Sequence, residues 1–389
     1  MDSDYQWLLL GLPLFFILGW LGSRLDLRQL KRETRESPKA TYKGLSLLLN
    51  EQQDKAIDAF IEAVQNDPDT AELHFALGNL FRRRGEFERA VRVHQHLLGR
   101  ADIGPADRDR AQHELAQDFV KAGLFDRAEQ AYKALEGTAY HTEARLALLN
   151  LYERSRDWRA AVEIAQALES SGAGSFARRL SHYWCELALA ADEQQHGDDA
   201  ERALQHALKA DPGAPRPWML MGQRLRRLGR DIEAFEAWNE LRQRNPGSFA
   251  LIAADYADVA VACGRVDVAR RTLDTLIGES PRLDLLLAWA KLESDRSVVS
   301  ARLQQALRAH PTLSIAHALT ELPPLKDAIA AAPDAAGAWE AVRAAVARAA
   351  KPVQRYRCAA CGFEAQRHFW QCPGCLTWDS YPPYRVEEQ

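Results

Sequence analysis

Four of the six cysteines fall within the last 32 residues, as Cys358-Ala-Ala-Cys361 and Cys372-Pro-Gly-Cys375. Two Cys-x-x-Cys pairs ten residues apart can close four thiolates around one ion. Each pair makes a tight turn whose backbone N–H groups face the sulfurs, and Gly362, directly after Cys361, suits that turn. A segment of ~30 residues buries too little apolar surface to fold unaided, so a bound ion would supply the folding energy. Tyr356, Phe363, Phe369, Trp370, Trp378, Tyr381 and Tyr384 crowd the same stretch and can cover the cluster from water. The expected chemistry is metal binding by Cys358, Cys361, Cys372 and Cys375, with iron and zinc both open. Cys185 and Cys263, the remaining pair, sit in apolar helical patterns and read as buried free thiols.

The elements that must position this cluster come from a repetitive middle. Ala, Leu, Arg and Glu dominate the composition, which favours helices. Gly85-Glu-Phe87-Glu-Arg-Ala90 recurs as Gly123-Leu-Phe125-Asp-Arg-Ala128 and Gly264-Arg-Val266-Asp-Val-Ala269, with looser copies at Arg156–Ala161 and Gly229–Ala234. An apolar helical pattern precedes each turn and another follows it. Several second helices end on Asp-Pro or Asn-Pro: Asp67-Pro68, Asp211-Pro212 and Asn245-Pro246. Each unit is thus a helical hairpin: glycine permits the reversal, alanine lets the helices approach, and proline stops the second helix. Two helices cannot bury their apolar faces alone, so neighbouring units must stack. His74-Phe-Ala-Leu77-Gly78-Asn-Leu80-Phe81 and Trp218-Met-Leu-Met-Gly222 resemble tetratricopeptide repeats. The fold class is therefore all-α: a repeat superhelix over residues 40–311, a helical cap and linker over 312–352, and a four-cysteine module over 353–389.

The N-terminus carries a different signal. Residues 5–22 contain no charge, with Trp7 and Trp20 near the two ends, which is about the shortest length that spans a bilayer as a helix. Asp2 and Asp4 precede it and no small-residue cleavage site follows, unlike a secretory signal. Arg24, Arg28, Lys31, Arg32 and Arg35 lie in the basic juxtamembrane linker 23–39. The positive-inside rule then puts the rest of the chain in the cytoplasm, where thiols stay reduced and available to a metal.

Enzyme chemistry is not expected. Gly172-Ala-Gly174-Ser-Phe-Ala177 matches a dinucleotide-binding turn only superficially, because a helical pattern, not a strand, precedes it. A Gly-Lys-Ser/Thr phosphate loop, a His-Glu-x-x-His helix and a Gly-x-Ser-x-Gly elbow are all missing from the sequence. His94 and His96 point to different faces of one helix and cannot share a metal. Arg82-Arg83-Arg84 and Arg224-Leu-Arg-Arg227 close first helices, where cations favour the helix dipole or form a patch for an acidic partner. A net charge of −4 predicts no general affinity for nucleic acid.

The order of a single span, a basic stretch, tetratricopeptide repeats and a terminal four-cysteine module resembles the lipopolysaccharide assembly protein B (LapB/YciM) family of Gram-negative bacteria. The resemblance covers essentially the full chain and implies a single-pass inner-membrane protein facing the cytoplasm. It further implies an adaptor that restrains lipopolysaccharide synthesis by promoting degradation of the deacetylase LpxC by the membrane protease FtsH. A membrane regulator of the PbgA/YejM type is an additional implied partner. The family's metal ligands carry over onto Cys358, Cys361, Cys372 and Cys375. Tyr356 and the Cys-Pro-x-Cys second pair also resemble rubredoxin, although Leu376 stands where a rubredoxin has glycine. A rubredoxin-like electron-transfer protein on a repeat scaffold is the alternative function. RNA binding by the cysteine module ranks below both, because Glu364, Asp379, Glu387 and Glu388 offset its arginines.

Overall fold

The computed structural model describes residues 53–66, 70–322 and 333–388, together with the isolated positions Phe16, Ser46 and Leu47. The expected span at 5–22 (Phe16 excepted), the linker at 23–39 and the Asp67-Pro68 stop lie outside the described residues. Among the described residues no helix is long and apolar enough to cross a membrane. Two compact units divide the chain, Met1–Asp157 and Trp158–Gln389.

Every described element before Tyr356 is helical. In the first unit, α1 (Gln53–Asn66) packs on α2 (Ala71–Arg83), and α2 pairs with α3 (Phe87–Leu98). Next, α4 (Pro105–Lys121) pairs with α5 (Phe125–Lys133), against which α6 (His141–Ser155) rests. The second unit opens with α7 (Trp158–Ser170), α8 (Ala177–Glu193) and α9 (Gly197–Ala210), followed by the hairpin of α10 (Pro215–Arg227) and α11 (Asp231–Arg244). A 3₁₀ turn over Pro246–Ile252 leads into α12 (Ala253–Ala262), α13 (Val266–Glu279), α14 (Leu283–Leu292), α15 (Arg296–Ala309) and α16 (Leu313–Thr320). Finally α17 (Pro333–Val353) packs on α16. It runs through Lys351-Pro352, so the end of the expected cap and linker, 312–352, is the last turn of a helix.

The reversals share one hydrogen bond, from the residue after the turn to the carbonyl five positions back. It joins Glu86 to Phe81, Leu124 to Phe119, Arg230 to Leu225 and Arg265 to Ala260, at 2.8–2.9 Å. This helix-ending motif needs a left-handed residue, and Gly85, Gly123, Gly229 and Gly264 supply it with φ between 69° and 79°. Arg156 (φ 60°) and Gln195 (φ 62°) adopt the same backbone at a cost of about 1 kcal/mol each relative to glycine. Gln195 marks a reversal that a search for the glycine motif passes over. The motif alanines Ala90, Ala128, Ala161, Ala234 and Ala269 are each 0% exposed, as close helix approach requires.

Two helix glycines set the tightest contacts. A Cβ on Gly222 would lie 2.2 Å from the indole of Trp238, which is fully buried, and one on Gly78 would lie 2.5 Å from the His94 ring. His94 is fully buried and meets Asp118 at 2.5 Å, and Asp118 also takes Arg82 at 2.8 Å. Arg82 further pairs with Glu114, while Arg224 and Arg227 both reach Asp192 and Arg226 reaches Asp255. The two basic runs therefore join neighbouring repeats through ion pairs. Cys185 is fully buried, which pushes its thiol up to about 12, whereas Cys263 is only half-buried.

Candidate metal centre and its docking surface

The module starts as a short antiparallel hairpin, β1 (Tyr356–Arg357) with β2 (Glu364–Ala365), and a second bridge pairs Gln371 with Trp378. Each Cys-x-x-Cys pair sits at the end of one of these ladders. In the first, the Gly362 N–H donates to the Cys358 carbonyl at 2.9 Å and the Cys358 N–H donates to Phe363 at 2.9 Å. The second repeats the pattern: the Leu376 N–H donates to Cys372 at 2.8 Å and the Cys372 N–H to Thr377 at 3.0 Å. Gly362 (φ 78°) and Leu376 (φ 60°) occupy equivalent left-handed positions, so Leu376 tolerates what glycine takes freely.

The four expected sulfurs come together, all within 4.8 Å of one another. Cys358 Sγ lies 3.8 Å from Cys375 Sγ and Cys361 Sγ lies 3.7 Å from Cys372 Sγ. Those separations are far longer than a disulfide bond, and they match the edge of about 3.8 Å that a tetrahedron with metal–sulfur bonds of about 2.3 Å requires. Burial opposes ionisation of Cys358, yet the Ser380 hydroxyl and the N–H groups of Cys361 and Ala360 hold its thiol down to about 6. The Phe363 N–H favours the Cys361 thiolate, but burial and the three neighbouring sulfurs push it up to about 12. Four thiolates cannot stay together without a cation, and a divalent metal would take the place of the shared protons. The residues fit one ion, iron or zinc, and its contribution would be a structural staple.

Phe363 is exposed, and the other aromatics divide into two sets. Tyr356 and Tyr381 are buried with Cys358 and Cys372 and cover the sulfurs, as expected, with Phe369 packed beside them. Trp370, Trp378 and Tyr384 instead face the repeats. Trp378 stacks on His182 of α8, with ring centroids 4.6 Å apart, and meets Trp158 and Tyr183 edge-on. His182 Nε2 contacts Asp379 Oδ1 at 2.9 Å, and Arg216 of α10 lies over the Trp378 ring. Further along, Arg385 grips Asp284 of α14 through two nitrogens at 2.7 and 3.2 Å. His182, Arg216 and Asp284 escaped the sequence reading because they look like ordinary repeat residues, and their partners lie about a hundred residues or more away.

On the other side of α8, an open groove of about 750 Å³ brings apolar Val162, Trp184 and Leu187 together with charged Arg159, Glu163 and Arg202. An apolar floor with mixed charge is suited to holding a partner's side chains.

Comparison with known proteins agrees with this geometry. Residues 356–382 match the model described as rubredoxin metal binding domain, and residues 43–104, 113–176 and 185–249 match the tetratricopeptide repeat model. Lipopolysaccharide assembly protein B of Escherichia coli (strain K12) is 30% identical, over 97% of this chain and 98% of its own length. The protein of that name from Haemophilus influenzae is 28% identical over 98% of each chain. A tetratricopeptide repeat protein structure from Parabacteroides merdae aligns with a TM-score of 0.33 at 13% identity, covering 66% of this chain and 99% of its own. Matched at 30% identity over nearly its whole length, and carrying both the repeats and the four-sulfur module, the chain belongs to the lipopolysaccharide assembly protein B family.

Proposed function

We propose that this chain is a non-enzymatic inner-membrane adaptor that restrains lipopolysaccharide synthesis by presenting LpxC to the protease FtsH. The observation that carries this reading is the full-length similarity to proteins named for lipopolysaccharide assembly, in a chain of repeats whose last unit carries a docked cysteine module. Repeat faces hold peptide or protein segments, and the module adds a rigid surface to them. The uncharged stretch 5–22 would confine the adaptor to the membrane of its protease, with the repeats on the cytoplasmic side. Confinement of that kind raises the effective concentration of weak partners without adding contacts. A PbgA/YejM-type regulator is a fitting further partner. Deletion of the protein should lengthen the LpxC half-life and raise lipopolysaccharide; an unchanged half-life in the deletion strain contradicts the reading.

The electron-transfer alternative draws on one feature, the solvent exposure of Cys361 beside the buried Cys358 and Cys372. It requires iron with a reversible potential, and purified protein that carries zinc alone excludes it.

A further inference from the structure

We propose that α14 and α16 form a binding site for an acidic peptide segment, and that the chain fills this site with its own residues Tyr384–Glu388. Four residues of the tail, Tyr384, Arg385, Glu387 and Glu388, meet Arg282, Asp284, Ser314 and Leu283 in turn. The Tyr384 ring lies under the Arg282 guanidinium, with 5.5 Å to the centroid. Arg385 takes the Asp284 carboxylate through two nitrogens. The N–H of Ser314, in the first turn of α16, donates to Glu387 Oε2 at 3.3 Å, and the N–H of Leu283, which opens α14, donates to Glu388 Oε1 at 3.0 Å. Arg282 also donates to the Pro383 carbonyl at 3.2 Å.

The first N–H groups of a helix have no partner within it and carry partial positive charge, so paired carboxylates are the groups that suit them. Two such helix ends accept two adjacent glutamates here. Tyr384 to Glu388 are all only half-buried, as expected of a segment laid on a surface and not of a core element.

A second observation indicates that the tail is an imperfect occupant. Ser314 is 1% exposed, and its hydroxyl has no hydrogen-bond partner; the remaining Glu387 oxygen, Oε1, is likewise buried without one. Buried polar groups are normally paired, so this end of the site offers more than the tail takes. The ligand class follows from the template: a segment with two adjacent carboxylates preceded by a basic side chain and an aromatic ring. The tail holds its place partly by tethering, since Val386 N–H donates to Arg355 and Arg385 Nη1 to Gln354. A tethered occupant has a high effective concentration, so it excludes weak competitors until it is released.

The test uses the purified full chain and a labelled peptide of sequence Pro-Pro-Tyr-Arg-Val-Glu-Glu-Gln, read by fluorescence anisotropy. The double variant E387Q/E388Q keeps the shape of the tail and removes its two carboxylates. It should bind the peptide at least about tenfold more tightly than the unaltered chain, a ratio that charge-assisted bonds at two helix ends can supply. A control peptide with both glutamates replaced by glutamine should not bind, and adding D284N to the double variant should abolish binding. If the double variant fails to fold, a chain ending at Pro383 takes its place with the same expectation. Equal binding by unaltered and opened chains overturns the proposal. So does absence of binding to an opened chain whose circular dichroism and metal content match the unaltered protein.

Discussion

The two cysteine knuckles share a backbone and differ in what they face. Both close with an N–H bond onto the first cysteine's carbonyl, and both put a left-handed residue directly after the second cysteine. The first ends in Gly362 and then Phe363, which is 45% exposed, beside the exposed Cys361. The second ends in Leu376 and runs within three residues into Trp378 and Asp379, which meet His182 on α8. One knuckle is turned to solvent while its twin doubles as the attachment point to the repeats. An ion bound to all four sulfurs would therefore fix the position of a docking loop as well as fold the module.

The largest effect is expected at the attachment point. Trp378→Ala removes the stack on His182 and should cost about 3 kcal/mol of docking stability, and His182→Ala should cost about 2, both with full metal content. Phe363→Ala on the exposed knuckle should cost under about 1 kcal/mol. Hydrogen exchange over residues 370–388 measures all three, and a Phe363→Ala effect equal to that of Trp378→Ala removes the asymmetry. A smaller effect sharpens it. Leu376→Gly relieves a left-handed non-glycine residue and should raise thermal stability by about 1 kcal/mol, while Gly362→Leu should lower it by a similar amount. Calorimetry of the metal-loaded protein checks both signs.

Much of this architecture is legible in local spacing, and the rest is not, for physical reasons. Cys358, Cys361, Cys372 and Cys375 announce themselves because a metal knuckle is a local turn with fixed ligand offsets. Reversals at Gly85, Gly123, Gly229 and Gly264 announce themselves because a left-handed residue is usually glycine. The Gln195 reversal uses the same conformation without glycine, so its repeat stays hidden in the sequence. Arg82 and Arg224 close their helices as their positions imply, but their ion pairs to Asp118 and Asp192 depend on how repeats stack and leave no local signal. The docking residues are hardest of all. Nothing local distinguishes His182 or Asp284 from other polar residues on repeat helices, since their partners Asp379 and Arg385 are reached only through the tertiary fold.

A bound ion would hold the module in the shape that docks on the repeats. Hydrogen exchange over residues 370–388 and at the Leu283 and Ser314 amides, compared between metal-loaded protein and protein stripped by a chelator, is the most direct test. Chelation should remove protection from the Asp379 amide, now bonded to Trp370 at 2.8 Å, and from the Leu283 and Ser314 amides bonded to the tail. Retention of that protection in metal-free protein would contradict it, because the repeats alone would then be enough to hold the docked loop.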